Sequence, residues 1–179
     1  MDIDELVKVT SRAWSLDILA LMHAGMPGRQ ASLVSASGAG RTALVQSLGH
    51  LVDIGLLERN PGHGHPLRPE YRLTPKGVTA GRVADKIRRA VREPANRPLL
   101  RRAWTVPVLV VSRRPRHFTD IKAELASITD RALSQSLKQL QEQHWLQRTV
   151  DSAIIPTRPL YKAANVGAQI SRAAKVDPI

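Results

Sequence analysis

Apolar residues recur at helical spacing in the stretch that follows residue 40. Leu44, Leu48, Leu51 and Val52 stand at i, i+4, i+7 and i+8, which is one apolar stripe of an amphipathic helix. Gly55 follows as the predicted C-terminal cap. Of the positions off the stripe, Thr42 and Gln46 are polar, Gly49 is small, and only Val45 is apolar. The pattern predicts a helix with one face in a core and the other in solvent.

The segments around this helix alternate between apolar runs and clusters of Gly, Pro and Ser, which favour turns. In chain order the pattern predicts a helix at 14–22, a turn at 25–28, a short helix at 29–34, a turn at 35–40, the striped helix, a strand at 56–59, a loop at 60–69, a strand at 70–73, and a helix from Thr74 and Pro75. Helix, short helix, turn, helix, β-hairpin and helix is the order of a winged helix-turn-helix.

The chain repeats this unit. Residues 43–51 recur as residues 132–140, with Ala, Leu, Gln, Ser, Leu and Leu in the same places, 89 positions later. The motif at 66–71 recurs 90 positions later as residues 156–161. Matches at offsets of 89 or 90 keep their order along the unit: Trp14 with Trp104, Leu57 with Leu146, Arg59 with Arg148, and Gly77 with Gly167. This order predicts the duplication of one small domain.

The second copy has the same predicted elements. Pro107 falls in the first turn of its opening helix, where the missing N–H costs little. Residues 116–125 predict its second helix, and Thr129 is the predicted N-cap of a helix over 130–143. The buried stripe of that helix is Leu133, Leu137 and Leu140, and the wing strands are expected at 146–150 and 160–163.

A helix over 78–92 and the Pro-containing segment 93–98 stand between the copies. We predict a first domain at 1–92, a linker at 93–98 and a second domain at 99–179. The predicted fold class is mainly α with small β-hairpin wings (α+β), as two tandem winged helix-turn-helix domains related by pseudo-symmetry.

The net charge of the chain indicates the kind of partner that it binds. Lys and Arg number 27 against 15 Asp and Glu, which gives a formal net charge of +12 and favours a polyanionic partner. Aromatic residues make up only 3% of the chain, too few for stacking on single strands or RNA, so double-stranded DNA is the expected partner.

The region between the copies is also basic. Its cations either contact phosphate or form a solvated helix face: Arg82, Lys86, Arg88, Arg89, Arg92, Arg97, Arg101 and Arg102.

Other residue patterns exclude several classes. The chain has no cysteine, which rules out a thiol nucleophile, a disulfide framework and a thiolate metal site. The acidic start, residues 1–5, is unlike a signal peptide, and the apolar run 106–111 is too short for a membrane span. We therefore expect a cytoplasmic protein without a membrane partner. No catalytic motif is present, so neither an enzyme nor a cofactor is expected.

Four stretches together resemble the HxlR-type winged-helix regulators. They are Trp14–Leu19, Leu44–Leu48, Gly55–Arg59, and the most specific one, Pro66–Gly77, in which Glu-Tyr-Arg-Leu-Thr follows a Pro- and Arg-containing wing. The resemblance covers residues 11–77 and, with fewer matches, 104–167; PadR and MarR regulators share parts of it.

The chain departs from the family pattern at several points. Ala13 and Ala103 replace the usual basic residue before the tryptophan, and Ala163 and Ala164 replace Leu-Thr, which predicts a different entry into the last helix of the second copy. The cysteine-based redox sensing of some members does not carry over. The family generally binds DNA as a homodimer of single units, so a tandem chain is expected to act either as a monomeric pseudo-dimer or within a further homodimer.

The resemblance implies that the third helix of each copy enters the major groove and that the wings contact the backbone or minor groove. Gln46 recurs as Gln135 on these helices. The implied DNA-binding residues are Arg41, Thr42, Gln46, Arg59 and Arg68 in the first copy, and Asp130, Arg131, Ser134, Gln135, Lys138, Arg148 and Arg158 in the second. Each could instead be an ordinary solvated side chain. The helix of the second copy has more long polar side chains, so the two half-sites need not be identical.

Three alternatives stay open. Trp14 and Trp104 could line a pocket for a small-molecule effector or drug, although tryptophans at such positions are more often core residues. His63 and His65 are a weak metal signal without a supporting acid, and no metal site is predicted. The chain could also be a protein-interaction scaffold, which would not need its basic charge.

Overall fold

The computed structural model describes residues 1–60, 69–151 and 157–174. Within these ranges the elements are α1 (Ile3–Thr10), α2 (Ser15–His23), α3 (Gln30–Ser37), α4 (Arg41–Asp53), β1 (Leu57–Asn60), β2 (Glu70–Leu73), α5 (Pro75–Ala90), a 3-10 helix (Pro94–Arg101), α6 (Thr105–Val111), β3 (Arg116–His117), α7 (Phe118–Glu124), α8 (Asp130–Glu142), β4 (Leu146–Asp151), β5 (Arg158–Ala163) and α9 (Asn165–Ala173). The two antiparallel sheets, β1–β2 and β3–β5–β4, confirm the predicted α+β class with two winged-helix units.

The first unit, which we call unit one, contains α1 to α5 and the β1–β2 wing. The stripe on α4 is buried as predicted, with Leu44, Leu48 and Leu51 fully inaccessible, whereas Val52 is only half-buried. Gly55 has φ +73°, the left-handed conformation of a helix-terminating glycine. Helix α2 is buried on almost every side because both α4 and α5 pack against it.

Two features of unit one differ from the predictions. Helix α3 continues to Ser37, three residues past the predicted end, and stops at Gly38, whose φ is +70°. The turn before α4 is therefore shorter than the predicted turn at 35–40. Helix α1 was not predicted, because eight residues give a weak periodic signal. Its N-cap is Asp2, whose carboxylate accepts a hydrogen bond from the backbone N–H of Glu5 at 2.7 Å, and its buried face includes Leu6 and Val9.

The second unit, unit two, contains the 3-10 helix and all later elements. Helix α8 has the predicted N-cap, since the Thr129 hydroxyl accepts from the Ala132 N–H at 3.2 Å, and its predicted stripe is buried. The second helix was placed two residues too early. Arg116 and His117 pair with β5 as strand β3, so α7 begins at Phe118. In unit one this third strand is reduced to one bridge, between Arg29 and Glu70.

Most of segment 93–98, predicted as a linker, lies in the 3-10 helix Pro94–Arg101, and Leu100 of this helix is buried. The 3-10 helix stands about 90 residues after α1 and occupies the equivalent position in unit two. The connection between the units is thus a packed element.

The two units pack through equivalent elements. The last helices, α5 and α9, lie against each other. Helix α1 of unit one contacts α6 of unit two, while the 3-10 helix of unit two contacts α2 of unit one. Because α6 and α2 are themselves equivalent, the contacts are reciprocal, as in an isologous dimer interface. This is the pseudo-symmetry that the sequence repeat predicts.

The last helix of each unit begins differently. Thr74 is the N-cap of α5, and its hydroxyl donates to the Gly55 carbonyl at 2.8 Å. Unit two has Ala164 at that place and no side-chain cap, but the Asn165 amide donates to the His144 carbonyl at 2.9 Å. His144, with φ +56°, is the counterpart of Gly55. The predicted difference in helix entry is therefore present, and Asn165 restores the lost contact.

Candidate nucleic-acid interface

The helix predicted as the third of each copy is α4 in unit one and α8 in unit two, and we keep the name third helix for it. It presents a continuous exposed face opposite its buried leucines. On α4 this face holds Arg41, Thr42, Val45, Gln46 and Gly49. On α8 it holds the residues at the same positions 89 residues later: Asp130, Arg131, Ser134, Gln135 and Lys138. The structure thus brings each predicted set onto one helix face, free of the core, which is the arrangement that a groove-binding helix requires.

Some charged side chains on these two faces have an ion-pair partner, and others have none among the described residues. Asp130 forms an ion pair with Lys122 of α7, and Lys138 Nζ lies 4.0 Å from Glu142 Oε1 one turn along α8. Arg131 has no carboxylate within 4.0 Å among the residues that the structure describes, and the same holds for Arg41 of α4. The first turn of each helix therefore carries one uncommitted guanidinium.

The wings add exposed arginines at equivalent positions. Arg59 on β1 pairs in register with Tyr71, and Arg148 on β4 pairs with Tyr161. Arg158 opens β5 and is also exposed. Arg68 lies outside the described residues, so its predicted role has no structural test. The described wing arginines lie on the hairpin that follows each third helix, where phosphate contacts are expected.

The wing of unit two is tied to the start of α7 by one side chain. His117 Nδ1 lies 3.1 Å from the Pro159 carbonyl oxygen, and its Nε2 lies 3.6 Å from Asp151 Oδ2. The equivalent link in unit one is the pair of Arg29 Nε and Glu70 Oε1 at 3.8 Å. In each unit the wing is thereby held to the helix-turn-helix.

A polar cluster joins the two units on one side of their interface. Asp17 of α2 accepts a hydrogen bond from Arg101 Nε of the 3-10 helix at 3.2 Å, and Arg88 Nε of α5 lies 3.4 Å from its other oxygen. The Arg101 guanidinium also lies 3.7 Å from the centre of the Trp14 ring, a cation–π contact. The side chain of Asp17 is only 14% exposed, so both arginines act at a largely desolvated carboxylate.

This cluster settles the role of two of the basic residues at the junction and was not predicted. Asp17 has Pro107 at the equivalent place in unit two, so the repeat gave no signal for it. Arg101 makes the contact between the units, and Arg88 binds the same carboxylate from within unit one. Arg89 pairs with Asp85 at 2.8 Å on its own helix. The exposed cations that remain for phosphate at the junction are Arg82, Lys86, Arg92 and Arg102.

Replacing the shared carboxylate tests the cluster. We expect Asp17→Asn to lower the free energy of unfolding by about 1–2 kcal/mol, since a charge-assisted hydrogen bond is worth about that much when the arginine partners are partly exposed. Urea denaturation measures the change. Glu142→Gln, which removes a solvent-exposed ion pair within α8, is the matched control and should change stability by less than about 0.5 kcal/mol. Equal effects of the two changes would contradict a special role for Asp17.

The tryptophans divide into two kinds. Trp14 and Trp104 are half-buried and pack against the core, whereas Trp145, which was not singled out from the sequence, is 2% exposed.

Two cavities lie at equivalent places in the two units, and residues other than Trp14 and Trp104 line them. The larger, of about 680 Å³, lies between α1, the end of α4 and the start of α5. A hydrogen bond from Lys76 to Glu5 at its rim lowers the pKa of Glu5. An effector pocket at Trp14 and Trp104 stays a prediction.

Some predicted features have no counterpart in the described residues. They contain no group of three or more histidine or carboxylate side chains that could hold a metal, and His63 and His65 lie outside them. None of the helices described is both long enough and apolar enough to cross a membrane.

Two winged helix-turn-helix units with exposed polar third helices and arginine-bearing wings define a DNA-binding protein of the winged-helix class. The family model of the HxlR-like helix-turn-helix proteins matches the chain twice, at residues 9–96 and 99–176. The chain therefore belongs to the HxlR-like family, with the family's domain present twice in tandem, and it is a DNA-binding transcription regulator. No curated protein and no solved structure shows significant similarity to it.

Proposed function

We propose that one chain occupies an operator made of two half-sites, with α4 in the major groove of one and α8 in the major groove of the other. In this proposal the chain takes the place of a homodimer of single-unit regulators. The observation that supports it is the reciprocal packing of the units, in which α5 meets α9, α1 meets α6 and the 3-10 helix meets α2. Packing of this kind holds two recognition helices in a fixed relation, as the two-fold axis of a dimer does.

The two half-sites of this operator are unequal in sequence. The exposed face of α4 carries Arg41 and Gln46 beside small or apolar positions, whereas α8 carries Arg131, Gln135 and Lys138. Arginine pairs best with guanine and glutamine with adenine, so the shared Gln46 and Gln135 support one common base pair. The remaining positions differ between the helices. The operator is therefore an imperfect palindrome.

The stoichiometry on DNA tests the proposal. Sequences bound from a random duplex library should contain two half-sites with centres about one helical turn apart, roughly 10 base pairs. Sedimentation of the complex formed on the selected duplex should give one chain per duplex. Two chains per duplex, or a selected site with a single half, would contradict the pseudo-dimer and leave DNA binding itself intact.

A protein-interaction scaffold is the competing function, and the salt dependence of binding separates the two. A DNA regulator with a net charge of +12 should bind random duplex at low salt and lose affinity steeply as salt rises, because bound phosphates release counterions. Fluorescence anisotropy of a labelled random duplex between about 50 and 200 mM salt measures the slope. Absence of binding at the lowest salt would favour the scaffold.

A further inference from the structure

Large apolar side chains are exposed at three places in the part of the chain that the structure describes. They are Val45 at 39%, Val78 at 40% and Val150 at 55%. Single exposed apolar residues are common on protein surfaces and by themselves carry no function. Val78 lies in the first turns of α5 and Val150 on β4, whereas Val45 lies on the exposed face of α4, which the proposed function places in the major groove.

Val45 stands at the centre of that face. Thr42 lies three residues before it and Gly49 four residues after it on α4, so its neighbours along the helix face are short. A Cβ added to Gly49 would meet no atom within 4 Å, which shows open space beside Val45. Arg41 and Gln46 flank the same surface. The surroundings therefore let the backbone of α4 come close to a base edge at this point.

The chemistry of the side chain limits what it can recognise there. An isopropyl group neither donates nor accepts a hydrogen bond, and the one apolar group on the major-groove edge of the standard base pairs is the C5 methyl of thymine. An adenine, cytosine or guanine edge at the same place would leave polar groups dehydrated against the valine without a partner. Val45 thus favours thymine by contact and disfavours the other bases by desolvation.

The equivalent residue of unit two has different chemistry. Ser134 stands 89 residues after Val45 on the exposed face of α8, and its hydroxyl can both donate and accept. Serine does not select for a methyl group. The next residue along each helix is the same glutamine, Gln46 or Gln135, although other positions on these two faces also differ.

We propose that Val45 contacts the C5 methyl of a thymine in the half-site bound by unit one, and that this thymine is not required at the equivalent position of the other half-site. The inference rests on the proposed function, because it needs α4 to lie in the major groove. It names one residue that contributes to the inequality of the two half-sites.

Deoxyuridine is the direct probe, since it differs from thymidine only by the C5 methyl. On the operator selected from a random duplex library, replacing this thymine by deoxyuridine should weaken binding of the wild-type protein about fourfold, the effect of one buried methyl group. Val45→Ala should weaken binding to the thymine operator by a similar factor and should make the protein indifferent to the replacement. Val45→Thr, which keeps one methyl group, should retain part of the discrimination.

Two controls separate the outcomes. Val78→Ala, an equally exposed valine on α5, should leave affinity and the thymine preference unchanged. Deoxyuridine at the equivalent position of the unit-two half-site should have no effect. Unchanged wild-type affinity on removing the methyl, or a selected operator without thymine there, would overturn the role of Val45 while leaving the operator model standing. Failure to select any operator would overturn both.

Discussion

Gly77→Ala and Gly167→Ala are each expected to lower the free energy of unfolding by about 3 kcal/mol, because overpacking of a rigid contact costs about 1–3 kcal/mol and here the obstacle is backbone. An added Cβ would lie 1.9 Å from the Leu56 carbonyl oxygen at Gly77 and 2.0 Å from the Trp145 carbonyl oxygen at Gly167. Atoms this close cannot coexist, so α5 or α9 would have to move away from the residue that directly precedes the first wing strand.

The same carbonyl oxygens already have backbone partners, which limits how far they can retreat. Leu56 O accepts from the Thr74 N–H at 3.1 Å, and Trp145 O accepts from the Ala164 N–H at 2.9 Å. Moving the helix would lengthen this hydrogen bond as well as open the core. The cost therefore includes more than the displaced methyl group, and both variants should be affected alike because the contact recurs in both units.

Thermal unfolding provides the measurement, with a decrease in Tm of roughly 10 °C expected for a chain of this size. Gly49→Ala is the matched control. Gly49 is exposed in the middle of α4 and has open space around it. The Gly49→Ala protein should therefore be more stable than the wild type by about 0.5–1 kcal/mol, the usual gain of alanine over glycine in a helix. If either close-contact variant is as stable as the wild type, the helix does not approach the carbonyl as the structure describes.

These glycines show what the repeat could and could not reveal. The recurrence of Gly77 as Gly167 was visible in the sequence, together with the order of the elements and the buried stripes of α4 and α8. The reason for the recurrence was not visible, because it lies in the distance between a helix and a carbonyl that is about 20 residues away along the chain. A sequence pattern shows which positions recur, but it does not show which atoms those residues contact.

The contact between the units was the least predictable part. Asp17, Arg88 and Arg101 are far apart in the sequence and follow no helical or strand period. Since the cluster exists on one side of the pseudo-two-fold axis only, the repeat could not indicate it either. By contrast, the exposed faces of α4 and α8 followed directly from the apolar stripes opposite them, which is why the candidate DNA-binding side chains on these helices all lie in solvent.

The strongest test of those faces is a double substitution on α8. We expect Arg131→Ala combined with Gln135→Ala to weaken operator binding by on the order of 100-fold, because each bidentate base contact is worth about 1–3 kcal/mol. Both side chains are exposed, one helical turn apart, and Arg131 has no carboxylate partner among the described residues that would compete with DNA. Binding to random duplex should fall much less, through the loss of one cation.

The contrast between specific and non-specific binding is the decisive measurement, and a gel-shift titration on the selected operator and on random duplex supplies it. Arg172→Ala with Gln169→Ala removes the same two residue types from an exposed face of α9 and should leave operator affinity within a factor of about two. Unchanged operator affinity in the α8 variant would show that this helix does not contact bases. Equal losses on both duplexes would instead assign Arg131 and Gln135 to the phosphates, because a phosphate contact weakens all sequences uniformly.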